Sequence, residues 1–82
     1  MLKLKNVKRI NNWIHADYYP EDWGEFGKVS VNCLDIRDYR MELSPTDKKE
    51  YSSCPYATEA LNGLRDMVEG KKEIKDCTIM WY

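Results

Sequence analysis

The chain has 82 residues, 43% hydrophobic and 33% charged, which suits one small α+β domain over 1–82 and excludes a disordered or low-complexity chain. Thirteen bases against fourteen acids leave a net charge of −1, which argues against a generic nucleic-acid or membrane-surface binder. A domain of this size buries roughly 60% of its unfolded surface, enough for one core but not for a deep enclosed active site beside it.

Leu2 to Ile10 begins by alternating Leu2 and Leu4 with Lys3 and Lys5, the period of a half-buried strand. Strict alternation leaves Val7 on the polar side, so a bulge or twist is expected near Asn6. Asn11-Asn12 suits a two-residue hairpin turn, because asparagine tolerates positive φ. Trp13 to Tyr19 reads as the second strand, with Ile14, Ala16 and Tyr18 on one face and Trp13, His15, Asp17 and Tyr19 on the other. Pro20 to Phe26 is an acidic loop that Trp23 and Phe26 are expected to pin to the core edge. Lys28 to Cys33 forms the third strand, with Val29, Val31 and Cys33 inward. Asp35 to Asp38 reads as a turn; Tyr39, Met41 and Leu43 then alternate with Arg40 and Glu42 in strand four. Ser44 to Ser52 is a polar link containing Ser-Pro.

Ser53 to Gly70 is the helix around which the chain is organised. Ala57, Ala60, Leu61, Leu64, Met67 and Val68 fall at i, i+3, i+4 and i+7, one apolar stripe. Thr58, Glu59, Asn62, Arg65, Asp66 and Glu69 fill the opposite arc. Ser53 is the expected N-cap, Pro55 suits the first turn, and Gly70 the left-handed end. Gly63 costs up to about 1 kcal/mol relative to alanine, which points to close packing at that position. Cys77 to Tyr82 has the composition of a last strand.

The order β-β-β-β-α-β predicts an antiparallel sheet of about five strands with one amphipathic helix packed on one face. Tight hairpins give the spatial order 5-1-2-3-4; the last strand beside the fourth, in parallel, is the alternative. The helix stripe is expected on Leu4, Ile14, Ala16, Val29, Val31, Tyr39, Met41 and Ile79.

Chemistry-bearing residues are sparse. Cys54, at the helix start, would have its thiolate favoured by the helix dipole, and His15 is the one histidine able to serve as its base. One cysteine and one histidine make no nucleophile motif, so an enzyme is not expected. Cys33 and Cys77 fall at core-facing positions, no C-x-x-C or H-x-x-x-H spacing exists, and neither a metal nor a cofactor is expected. Glu21-Asp22 and Asp35/Asp38 lie in turns, and Gly24 and Gly27 form no phosphate loop. Three cysteines fit reduced thiols, and no apolar run reaches signal or transmembrane length, so the expected location is cytoplasmic.

The sheet face away from the helix is more informative. Alternation places Lys3, Lys5, Trp13, His15, Asp17, Tyr19, Lys28, Ser30, Asn32, Arg40, Met80 and Tyr82 there. Trp13, Tyr19, Met80 and Tyr82 are the binding candidates, and the partner expected is another protein or a second copy of the chain. The alternative is single-stranded nucleic acid on Trp13, Tyr19 and Tyr82 with Lys3, Lys5, Lys28 and Arg40, which the net charge disfavours. The dull reading is that one face of an antiparallel sheet is ordinarily wet.

Asn6-Val7-Lys8-Arg9, Ala16-Asp17-Tyr18, Ala60-Leu61-Asn62-Gly63-Leu64 and the ending Met80-Trp81-Tyr82 together resemble short proteins of low-GC Gram-positive bacteria and their prophages or mobile elements. The likeness spans most of the chain but is less typical over the acidic loop and Ser44 to Cys54. That family carries no assigned activity, so the resemblance implies a cytosolic accessory protein of bacterial or phage origin and transfers no site residues.

Overall fold

The computed structural model describes residues 1–21, 24–49 and 55–80. Its elements are β1 (Leu2–Ile10), β2 (Trp13–Pro20), β3 (Gly27–Asn32), β4 (Asp35–Glu42), α1 (Pro45–Lys49), α2 (Pro55–Val68) and β5 (Cys77–Ile79). The fold is α+β. One antiparallel sheet of five strands has the order β4-β3-β2-β1-β5, and α2 packs on one of its faces. β5 lies antiparallel beside β1, with Leu2 opposite Ile79, as the tight-hairpin order requires.

Both turns of β1 follow from asparagine. Asn6 adopts φ 55° and the pairing with β2 shifts between Lys5 and Lys8, so the expected bulge is present. Asp76 fills the gap: its Oδ1 accepts the Val7 N–H at 2.9 Å. Asn11, also at φ 55°, turns the chain into β2. The alternation of β2 is complete, Ile14, Ala16, Tyr18 and Pro20 being buried and the residues between them half-buried.

The core joins Leu2, Leu4, Ile14, Ala16, Tyr18, Val29 and Val31 of the sheet to Ala57, Ala60, Leu61, Leu64 and Met67 of α2. Burying each larger aliphatic side chain contributes about 1.5–3 kcal/mol, and this pairing of stripe with sheet face is what holds the layers together. Gly63 is the point of closest approach, since a Cβ there would lie 2.7 Å from Ile79 Cδ1 and 3.4 Å from Leu4 Cδ1. The helix ends as expected at Gly70, φ 79°. The Lys71 N–H donates to the Asp66 carbonyl at 2.8 Å and the Gly70 N–H to the Met67 carbonyl at 3.2 Å, a Schellman cap.

Several expectations need correction. The polar link after Ser44 holds a short helix, α1, with Ser44 buried as its N-cap and its Oγ accepting the Asp47 N–H at 3.4 Å. The tight turn after β3 is at Cys33-Leu34, and β4 begins at Asp35. Asn32 pairs with Asp35 but Val31 pairs with Tyr39, so Ile36, Arg37 and Asp38 bulge outward from the ladder. Tyr39, expected in the core, is 45% exposed, because it lies on the edge strand beyond the reach of the helix stripe. Arg65, assigned to the solvent arc of α2, is half-buried; its Nε donates to the Ile36 carbonyl at 3.0 Å and its guanidinium lies 5.4 Å from the Tyr39 ring centroid. Phe26 does not pin the loop to the core; it is 46% exposed. Ser53, Cys54, Trp23, Trp81 and Tyr82 lie outside the described residues.

Candidate functional site

Two polar assemblies stand out, one inside and one outside. Inside, Asp47 of α1 is fully buried and faces the start of α2. Its Oδ2 accepts the Tyr18 hydroxyl at 2.6 Å and the Ala57 N–H at 2.9 Å, and its Oδ1 accepts the Tyr56 N–H at 3.3 Å. The helix N–H groups that an adjacent cap would satisfy are therefore met from another element. The Tyr18 oxygen accepts in turn from the buried Ser44 N–H at 2.8 Å. Burial and the bond to the Asp47 carboxylate push the Tyr18 hydroxyl up to about 12. Among the described residues no buried side-chain nitrogen or oxygen lacks a hydrogen-bond partner, so the cluster joins elements rather than presenting a free group to a ligand.

Outside, the open face of the sheet carries four cross-strand rows, the last of them Thr78, Lys3 and Tyr19. Ile10, Trp13 and Asn32 make the first. Lys8, His15, Ser30 and Arg40 make the second, and Lys5, Asp17, Lys28 and Glu42 the third. Lys8 and Ile10 arrive here because the Asn6 bulge reverses the alternation of β1 beyond it. The expected bulge was the signal that would have placed them, but it has to be carried through to the side chains that follow it.

Trp13 and Tyr19, both half-buried, are on this face as expected, but they stand six positions apart along β2, about 20 Å. They belong to two stations. At one end the Arg40 guanidinium lies 5.1 Å from the Trp13 ring centroid, next to Ile10, which is 49% exposed. At the other end Phe26 stacks on Tyr19, centroids 5.3 Å apart, and the Lys5 ammonium lies 4.9 Å from the same ring. Met80, 64% exposed, follows β5 one residue past its end, on the far side of β1 from Tyr19. Tyr82 lies outside the described residues. The four binding candidates therefore do not form one cluster.

Between the stations the face is polar. His15 Nδ1 and Ser30 Oγ lie 3.2 Å apart, and Asn6 Nδ2 donates to Asp17 Oδ2 at 2.9 Å. Shallow depressions open on either side of Ser30, toward Trp13 and Ile10, toward Lys8 and Asp17, and toward Lys28 and Glu42. Cys33 and Cys77 are half-buried against the core. Among the described residues no three His, Cys, Asp or Glu side chains converge as metal ligands, and no helix is long and apolar enough to cross a membrane. No protein-family model, no curated protein and no solved structure matches the chain, so none of the three comparisons places it in an enzyme family.

Proposed function

We propose that this protein is a small interaction module that binds a protein partner, or a second copy of itself, through the open face of its sheet. The observation that carries the reading is Trp13, half-buried with Arg40 over its ring and exposed Ile10 as its cross-strand neighbour. Tryptophan and arginine beside an apolar residue are the types that dominate binding energy at protein interfaces. Single-stranded nucleic acid is the lesser reading, because base stacking needs open ring faces. Here Arg40 lies over Trp13, and Lys5 and Phe26 crowd Tyr19. In the setting its sequence resembles, such a module works in the cytoplasm of a bacterium, as an accessory protein of the host or of a phage.

Sedimentation velocity over a wide concentration range, paired with affinity capture from the host and rebinding of the purified partner, tests this. Trp13→Ser should weaken self-association or partner binding while changing the melting temperature little. Unaltered association of the Trp13→Ser variant in both assays would refute the reading.

A further inference from the structure

We infer that the open face receives an acidic, extended segment of a protein partner, lying across the strands along the row Lys8–His15–Ser30–Arg40. The inference rests on the open face being the binding surface and adds the chemistry of what it binds.

The row spans four strands, from β1 to β4, at successive cross-strand pairs, and it contains no acid. With neighbouring strands about 4.8 Å apart, its backbone positions cover roughly 14 Å, the reach of four or five extended residues. Lys28 borders the row from the next one. Among the described residues Lys8, Lys28 and Arg40 have no carboxylate within ion-pair distance. Elsewhere on the surface Arg37 pairs with Asp35 at 3.1 Å, Lys71 with Glu69 at 4.0 Å and Lys75 with Glu73 at 3.4 Å.

The acids that do share the open face stand outside the row. Asp17 and Glu42 flank Lys28 as its cross-strand neighbours, Asp17 also accepts from Asn6 Nδ2, and Asp38 accepts from Asn32 Nδ2 at 3.2 Å. A chain with net charge −1 thus carries more positive than negative charge on the one face its helix does not cover, with Lys3, Lys5, Lys8, Lys28 and Arg40 against Asp17, Asp38 and Glu42.

Carboxylates fit this patch for a physical reason. A guanidinium resting on an indole has already lost much of its rotamer freedom, so it receives a carboxylate through its fork of N–H donors at a smaller entropic cost. Ser30 and His15 supply further hydrogen-bonding groups midway along the row, and exposed Ile10 with Trp13 offers an apolar seat beside it. The occupant this describes is an extended peptide bearing glutamate or aspartate at alternate positions and one apolar side chain.

Fluorescence anisotropy of a labelled peptide rich in glutamate and leucine, titrated with the full chain, is the direct test, with oligothymidylate of equal length as the competing polyanion. The peptide should bind saturably. Arg40→Gln with Lys28→Gln should weaken it about tenfold or more, an effect of roughly 1.4 kcal/mol or above. Lys71→Gln with Lys75→Gln, on the segment before β5, should leave it unchanged, and circular dichroism should show both variants folded. Absence of saturable peptide binding, equal loss in both variants, or tighter binding of oligothymidylate than of the peptide would each overturn the inference, the last by making a phosphate polymer the occupant. These failures differ from failure of the broader reading. If Trp13→Ser still abolishes association while the peptide neither binds nor competes, the surface stands and its acidic partner does not.

Discussion

Asp47 shows how one side chain can decide whether two helices and a sheet hold together. Its carboxylate receives a hydroxyl from β2 and two N–H groups from α2, the Tyr18 and Ala57 bonds buried and the Tyr56 bond part-buried. Removing it takes the partner from two buried donors, each costing on the order of 1–3 kcal/mol, and from one part-buried donor. Asp47→Ala should therefore lower the unfolding free energy by about 3 kcal/mol or more, a large part of the 5–10 kcal/mol typical of small domains. Asp47→Asn should cost less, since its amide oxygen still accepts. Urea unfolding of the two variants checks this ordering, and wild-type stability in Asp47→Ala would show the network to be dispensable. The same cluster fixes a pH response. The Tyr18 hydroxyl is raised from 10.0 in an unperturbed tyrosine to about 12 in the fold, first by burial and then by Asp47. The unfolded chain loses that proton first. The contribution is therefore complete below pH 10 and lost as pH climbs from about 10 to about 12, a window that Tyr18→Phe should remove. A melting curve of that variant falling as steeply with pH as wild type would assign the loss to other groups.

A second residue-scale constraint lies where β3 begins. Gly27 pairs with Tyr18, and a Cβ on it would lie 2.5 Å from the Tyr18 ring and from the Glu42 carbonyl oxygen. Gly27 is thus required by the same tyrosine that binds Asp47. Gly27→Ala should displace the ring and cost roughly 1–3 kcal/mol, the usual range for overpacking, measurable as a lowered melting temperature. A variant as stable as wild type would mean that the ring shifts without loosening its bond to Asp47.

At the scale of elements, α2 and β4 differ in how openly they declare themselves. The stripe of α2 was legible because side chains three and four apart must share a face, and every stripe position except half-buried Val68 is buried. Leu64→Asp should accordingly prevent folding at room temperature, whereas Asn62→Asp, on the exposed side, should change stability by under about 1 kcal/mol; circular dichroism separates the two. Arg65 was not legible as anything but a solvent residue, because its partners lie in β4, 29 positions away in the case of Ile36. β4 was legible only from Tyr39 on. Its first half carries the outward bulge of Ile36, Arg37 and Asp38, set by a pairing shift that no periodicity encodes. That irregularity has a use. An edge strand of eight residues invites pairing with another chain, and here the bulge, the Arg65 donation to the Ile36 carbonyl and the Asp35 acceptance of the Arg37 N–H at 3.0 Å break its regular ladder. The α1 helix escaped notice although Ser44-Pro45-Thr46-Asp47 has the spacing of a capping box. In place of the reciprocal bond of that motif, Asp47 turns to α2 and Tyr18 takes the Ser44 N–H.

The whole molecule is one helix layer on one sheet, with its two sheet edges unequally built. β2 and β3 are paired on both sides and covered by α2, whereas β5 contributes three residues to a single neighbour and is preceded by an exposed, charged stretch from Lys71 to Asp76. Strand order followed from tight hairpins and the helical crossover, so the global plan could be read before its details. The two aromatic stations could not, since they depend on where the Asn6 bulge and the Tyr19–Phe26 stack bring side chains together. Stability should grade along the same lines, because local opening follows burial and the number of paired neighbours. Native-state hydrogen exchange should find the slowest amides in β2, β3 and the Ala57 to Leu64 part of α2, opening only with global unfolding. The amides of β5 should exchange at least about tenfold faster, corresponding to an opening free energy lower by roughly 1.4 kcal/mol or more. Asp76 anchors that strand by receiving the Val7 N–H, so Asp76→Ala should accelerate β5 further and leave β2 and β3 nearly unchanged. Equal protection of β5 and β2 in the wild type would mean that the sheet opens as one unit, and that its short edge strand belongs to the core.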